Sequence, residues 1–259
     1  MKKGISQEGL KLIACLTMLI DHIGYAIVYP MYLRSQIAGG LEITENAQFL
    51  HTIYLVMKSI GRLSFPIFCF LLVEGVRHTR SRKKYGLRLL FAALLSELPF
   101  NLVVSGSPVW RYRQSVMLTL LLGLIMLIAL EKCKSLSWKP VIVLPFAVAA
   151  ELLHVDYGWS GLVLIALFSL SSQMYNRNLI RFCGMLVLFH YMSSTPLSFG
   201  SVSIPLQALG ALSMLFIAAY DGRKVTNSKF AQWAFYLFYP GHLLLLWGVS
   251  ILLPQGFSL

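Results

Sequence analysis

The sequence predicts an all-α integral membrane protein: a polytopic bundle of about nine transmembrane helices, with its N-terminus in the cytoplasm and its C-terminus outside. Three observations predict it. Of 259 residues, 57% are hydrophobic and only 12% are charged, with a mean hydropathy of +0.71. A soluble domain carries roughly 25% charged residues, so this chain has about half the usual supply of solvated surface. Its apolar residues also come in long runs instead of at a core-facing period, which is the pattern of membrane spans. Finally, Lys and Arg gather in alternate breaks between those runs.

The runs fall at 9–31, 50–76, 85–105, 114–130, 139–153, 158–172, 179–194, 200–220 and 229–253. The fifth and sixth are short for a span of roughly 20 residues, as tilted or broken helices are. No stretch is polar enough to form a soluble domain, so residues 1–259 read as a single transmembrane domain. Met1-Lys2-Lys3 before an apolar run resembles the start of a signal peptide. The run continues to about Pro30, however, and Asp21-His22 interrupts what would be its apolar middle. It reads as an uncleaved first helix.

The formal net charge is +12. A nucleic-acid binder spreads basic residues over a soluble surface; here they sit in short breaks, which points to topology and to anionic membrane lipid. One set of breaks holds Lys2 and Lys3, then Arg77, Arg80, Arg82, Lys83, Lys84 and Arg88, then Lys132, Lys134 and Lys139. It continues with Arg177 and Arg181, and with Arg223, Lys224 and Lys229. The other set holds only Arg34, Arg111 and Arg113. The four cysteines, Cys15, Cys69, Cys133 and Cys183, show no CxxC or Cys/His ligand spacing, so neither a disulfide framework nor a metal site is expected.

Charges inside membrane helices are costly and raise a functional hypothesis by default. The first helix carries Asp21 and His22 about twelve residues in; the second, running back, carries Lys58 and Arg62 at matching depth. Glu97 lies equally deep in the third, with Asn101 one turn beyond, and Tyr239 and His242 lie near the middle of the last. A structural ion-pair network gluing helices together accounts for the acids and bases. It leaves the histidines unexplained. A histidine held by a carboxylate is the usual general base near neutral pH, which singles out His22 beside Asp21.

Lys11 precedes His22 by eleven residues, so the two share nearly one helix face about 16 Å apart at ~1.5 Å rise per residue. Lys11 either snorkels to the interface or grips the phosphates of a cofactor whose long arm reaches His22, as acyl-CoA has. The dense basic stretch from Arg77 to Arg88 is a positive-inside anchor that can also serve phosphates, a task suited to Arg. The His154-Val155-Asp156-Tyr157-Gly158 segment is either an ordinary turn or part of an acceptor's entry.

Leu10-Lys11-Leu12-Ile13-Ala14 leading to Ile20-Asp21-His22-Ile23-Gly24 and Gly61-Arg62-Leu63-Ser64-Phe65-Pro66-Ile67-Phe68 resemble segments of the TraX family. So do Glu74-Gly75-Val76-Arg77-His78-Thr79, Lys84-Tyr85, Arg88-Leu89, Ser96-Glu97-Leu98-Pro99-Phe100-Asn101, Asp156-Tyr157-Gly158 and the stretch from Phe235 to Leu243. These run in order across nearly the whole chain. The family is named for the acetylase of the F-pilin N-terminus, and it is distantly similar to the acyltransferase-three group. There, a basic residue followed after ten residues by a histidine marks the first helix; Lys11 and His22 fit, with Lys where Arg is common.

The resemblance implies a multi-pass protein of the bacterial cytoplasmic membrane. It would transfer an acetyl or other acyl group from cytosolic acyl-CoA, without a metal, to a hydroxyl or amine of an exported peptide or glycan. His22 with Asp21 would be the base, Arg62 or His242 the oxyanion donor, and Glu97 a partner of Arg62 or of the acceptor. Lys11, Arg77, Arg80, Arg82, Lys83, Lys84 and Arg88 would hold the CoA phosphates. Lys58, Asn101, Asp156, Tyr157 and Tyr239 would contact substrate. The alternatives are a proton-coupled transporter or flippase using the same buried charges, and a non-catalytic assembly protein of a surface-export system.

The charge bias makes the topology testable. Single cysteines at Ser81 and Ser107, in a background lacking the native four, are probed in intact cells with an impermeant thiol reagent. Residue 107 should label and residue 81 should not; the opposite pattern inverts the map.

Overall fold

The computed structural model describes residues 4–39, 44–192, 196–199, 202–226 and 228–252. Met1, Lys2, Lys3 and Leu259, on which part of the topology expectation falls, lie outside the described residues. The elements are almost all helical. Helix α1 (Gln7–Ile23) begins where the Ser6 hydroxyl accepts the Gly9 N–H at 3.2 Å, an N-cap that satisfies one of the free donors of the first turn. It runs through a π-turn at Gly24–Val28 into α2 (Tyr29–Gly39). Pro30 supplies a reason for the turn: it lacks an N–H, and its ring crowds the carbonyl four residues back, at Ala26.

Helix α3 (Glu45–Gly61) is capped by Thr44, whose hydroxyl accepts from Ala47 at 3.1 Å. It breaks at Arg62–Leu63 before α4 (Ser64–His78); Pro66 stands four residues after the break and acts on the Arg62 carbonyl in the same way. Helix α5 (Arg82–Ser105) ends on Gly106, which adopts φ +67°, the left-handed stop that glycine takes without strain. Then come α6 (Val116–Lys132), α7 (Lys139–Leu152), α8 (Gly158–Leu170) and α9 (Arg177–Met192). A short hairpin of β1 (Pro196–Phe199) and β2 (Val202–Pro205) precedes a 3₁₀ stretch at Leu206–Ser213, α10 (Met214–Ala218) and α11 (Lys229–Leu252).

With interrupted rods counted once, the described residues form nine helical stretches, near the predicted positions. Four are long and apolar enough to cross a membrane: Gln7–Ala38, Glu45–His78, Arg82–Ser105 and Phe230–Leu252. The predicted span at 200–220 is different. Among its described residues, Val202–Pro205 is a strand of the hairpin and Leu206–Ala218 is a short 3₁₀ and α stretch. Pro205 ends the strand there and cannot donate a backbone hydrogen bond.

The core joins α4, α6 and α8, with Ile67, Leu124, Met126, Leu162, Ile165 and Phe168 fully enclosed. Small residues bring these rods close: a Cβ on Gly161 would stand 2.8 Å from Thr119 and 3.1 Å from Phe65. Outward, α5 shows a stripe of exposed apolar side chains, Leu87, Phe91, Leu94 and Leu98. Such a surface suits lipid better than water.

The loops gather at two ends. At one, Ile5 bridges Tyr220, Arg82 meets Glu131 at 2.6 Å, and the Arg77 guanidinium donates to the Ser169 carbonyl. The Arg223 N–H holds the Asp221 carboxyl below its ordinary value there. At the other, Gln114 bridges Val155. The first three contacts join segments of the basic-rich loop set, and the last joins two segments of the basic-poor set. Arg181, expected among the loop charges, is instead buried between Phe70 and Phe168, at 5.4 and 5.5 Å from their ring centres. It donates to the Ser171 hydroxyl and the Phe168 carbonyl, so two ring faces and two oxygens replace its water.

Phe168→Ala should lower stability by roughly 3–5 kcal/mol. The check is a lower thermal midpoint in detergent than that of Leu245→Ala, a change at a 73% exposed position.

Candidate functional site

Two interactions place the site. In the first, a single oxygen of Asp21, Oδ1, accepts from Arg62 Nη2 at 3.0 Å and lies 3.3 Å from Lys58 Nζ. All three side chains are mostly buried. The break between α3 and α4 aims the Arg62 guanidinium. Its Nη1 donates to Gln207 Oε1 at 2.8 Å and its Nε to the Lys58 carbonyl at 3.3 Å. Gly61 makes room for the carboxylate: a Cβ there would lie 2.3 Å from Asp21 Cβ and 2.5 Å from Oδ1.

The second interaction pairs two histidines. His22 Nδ1 lies 2.6 Å from His242 Nε2, with the rings 11° from parallel. His242 Nδ1 lies 2.6 Å from the Phe238 carbonyl. A carbonyl only accepts, so His242 Nδ1 carries the hydrogen and, in the neutral ring, its Nε2 is a lone pair. That lone pair accepts from His22 Nδ1–H. The proton of neutral His22 is thereby fixed on Nδ1, and its Nε2 is the basic atom.

These groups line a cavity of about 100 Å³ whose apolar walls include Phe65, Phe68 and Phe100. Tyr239 is buried beside both histidines, edge-on to each. Arg113, Asp156 and Tyr157 also line this cavity, and the same three residues line a second, larger one of about 460 Å³ with Glu151, His154 and Trp159. Arg113 donates twice to Asp156 Oδ1, at 2.8 and 3.2 Å. The carboxylate beside it holds the guanidinium above its ordinary value. Tyr157 adopts φ +65° and stacks on Phe65 with ring centres 3.6 Å apart. A left-handed non-glycine residue is strained backbone held in place by its surroundings.

The structure therefore brings together Asp21, His22, Lys58, Arg62, Asp156, Tyr157, Tyr239 and His242. It changes two of the expected pairings. His242, and not Asp21, bonds the His22 ring, because Asp21 is taken up by two cations. Glu97 does not balance Arg62: its Oε1 accepts from Ser115 N at 3.1 Å and Ser115 Oγ at 2.7 Å, pinning the start of α6. Asn101 donates to the Pro108 carbonyl in the loop before it.

The expected phosphate-binding residues divide. Lys11 stands 5.1 Å from the Phe235 ring centre, and Arg88 stands 5.9 Å from that of the next residue, Tyr236, so these two flank the start of α11. Arg77 bonds Glu74 and the Ser169–Ser172 turn, and Arg82 bonds Glu131. Arg80, Lys83 and Lys84 are exposed.

Sequence reasoning gave no site role to Gln207, Gly61 or Arg113. Gln207 carries no charge and sits in a short 3₁₀ stretch, so nothing marks it. Gly61 adjoins Arg62 within a segment already singled out, and Arg113 was one of only three cations in its loop set.

The family model described as TraX protein matches residues 6–250. The "Probable fimbrial assembly protein FimC, serogroup H1" of Dichelobacter nodosus is 30% identical over 217 residues, covering 77% of this chain and 85% of that protein. No solved structure matches the chain.

The ion cluster predicts unequal responses to mutation. Asp21→Asn strands two cations and should cost roughly 3–5 kcal/mol. Lys58→Met leaves one acid on one base and should stay within about 1 kcal/mol of the parent. Unfolding midpoints in detergent decide; equal losses refute the shared-oxygen account.

Proposed function

The chain belongs to the TraX family, and on that premise we propose that it is a membrane-embedded acyltransferase, most simply an acetyltransferase, using cytosolic acyl-CoA. The observation that carries the reading is the basic Nε2 of His22, fixed by His242, at a cavity that also holds Arg62. The acceptor would be a hydroxyl or amine of an exported peptide or a glycan. A fimbrial assembly relative accords with an acceptor of the cell surface, and it does not favour a transporter using the same charges.

In this reading the acceptor X–H attacks the thioester carbonyl carbon while His22 Nε2 takes its proton. Charge collects on the carbonyl oxygen, and an Arg62 N–H donates to it in a site with little water. One such donor is worth roughly 3 kcal/mol. The intermediate then expels the thiolate, the C–S bond breaks, and the proton on His22 passes to sulfur. The products are the acylated acceptor and free CoA. His242 is a positioning residue: it keeps the His22 proton on Nδ1. Asp21 holds Arg62 in place, and Tyr239 packs against both histidines.

Lys11 and Arg88, at the start of α11, are the best-placed cations for the CoA phosphates, with exposed Arg80, Lys83 and Lys84 as further contacts. Arg77 and Arg82 would have to leave protein partners to contribute. Lys58 faces the reacting groups, and Asp156 and Tyr157 face the acceptor. The orientation that serves this chemistry is the multi-pass one of the charge bias. The basic end lies in the cytoplasm of a bacterial cell, and the end bearing His154–Gly158 faces out.

Purified protein incubated with labelled acetyl-CoA should release CoA and pass label to acceptor. His22→Ala should lower transfer by about 10²–10⁴-fold, and activity within threefold of the parent would remove His22 as the base. Lys11→Ala should raise the acyl-CoA concentration needed for half-maximal rate while leaving the saturated rate unchanged. An unchanged requirement would exclude Lys11 from the phosphate site.

A further inference from the structure

The charges that line the smaller cavity do not cancel. Lys58, Arg62 and Arg113 are cationic and Asp21 and Asp156 anionic, while His22 adds no negative charge in either protonation state. At least one positive charge is left over. Two of the cations also hold uncommitted donors. Arg62 has five N–H groups and commits three, to Asp21, Gln207 and the Lys58 carbonyl. Lys58 has three and commits one, to Asp21, its Nζ standing 5.8 and 6.0 Å from the Tyr25 and Tyr54 ring centres. Both carboxylates spend one oxygen on more than one donor.

A buried surplus of positive charge favours an anion, and the uncommitted N–H groups of Lys58 and Arg62 suit one that carries acceptor oxygens. Size and wall chemistry narrow the choice. About 100 Å³ is room for a small molecule, since one water needs roughly 10–15 Å³ of such space. The wall that includes Phe65, Phe68 and Phe100 suits an apolar tail, however short.

We propose that this cavity binds a short monocarboxylate, its oxygens on Lys58 and Arg62 and its carbon end against the phenylalanines. The charge and donor counts stand without the acyl-transfer reading. The identity of the ligand as the free acid of the transferred acyl group rests on that reading. Such an acid would occupy the place of the thioester carbonyl and compete with acyl-CoA.

The test is thermal unfolding of the full-length protein in detergent, titrated with sodium acetate and, at equal ionic strength, with sodium chloride and sodium octanoate. Acetate should raise the midpoint saturably by several degrees, because a ligand of the folded state stabilises it by mass action. Chloride and octanoate should not. Lys58→Met should lose the acetate response while unfolding near the parent midpoint in its absence, and Lys58→Arg should keep it. No acetate response overturns the proposal. So does an equal response to chloride, an equal response to octanoate, or an acetate response surviving in Lys58→Met. Should Lys58→Met prove unstable, Arg62→Lys takes its place. That change keeps the charge but removes donors, and it should weaken the acetate response at least tenfold; an unaltered response would again be fatal.

Acetyl-CoA turnover measured on the same preparation keeps the two claims separate. Acetate binding without CoA release under any acceptor condition removes the acyltransferase reading and leaves the carboxylate site. CoA release without an acetate response does the reverse.

Discussion

One carboxylate oxygen organises this molecule. Asp21 Oδ1 receives both Arg62 and Lys58, and Arg62 reaches on to Gln207. A single atom thus ties α1 to the break between α3 and α4, and through the guanidinium to the 3₁₀ stretch before α10. An unpaired ion in a low-dielectric interior is costly enough that these segments must meet in this arrangement or not at all. Gly61 shows how tightly the arrangement is drawn, since even a methyl group there would occupy the place of the Asp21 side chain. With Asp21 so engaged, the His22 ring takes another partner, and His242 on α11 supplies it.

Each of the four long helical rods carries a break or a proline close to this region. The π-turn begins two residues after His22, and the α3–α4 break is at Arg62 itself. Pro99 stands between Glu97 and Asn101, and Pro240 between Tyr239 and His242. A regular helix spends its backbone polar groups on itself and presents side chains at a fixed pitch. An interruption re-aims them and frees backbone groups. In a lipid-facing helix freed groups have no partner, so irregular backbone is confined to protein-enclosed places. The clustering of defects and ionisable groups follows from one constraint.

Much of this was legible in the residues. Nine helical stretches follow from nine apolar runs, and the ion cluster from charges recurring at one depth. That Asp21, Lys58, Arg62 and His242 lie at one depth follows from helix rise alone. The specific pairings were not legible, because depth along a helix says nothing about rotation around it. Glu97 shares the depth of Arg62 but faces Ser115. Residue type also conceals context: Arg181 reads as a loop cation and is buried between two rings, and Gln207 carries no mark of its contact with Arg62. The hairpin and 3₁₀ stretch inside one apolar run escaped because apolar composition alone does not distinguish a span from a shorter buried segment.

The two cavities share part of their lining: one ion pair, Arg113 with Asp156, and Tyr157, whose ring stacks on Phe65. In electrical terms, where two water-accessible hollows approach inside a membrane, the dry layer between them carries most of the voltage. An unpaired charge there would feel roughly 2.3 kcal/mol for each 100 mV. A bonded pair of opposite sign presents a short dipole to the field and no net charge, so a potential pulls on it far less. By that pairing the shared lining is an insulator.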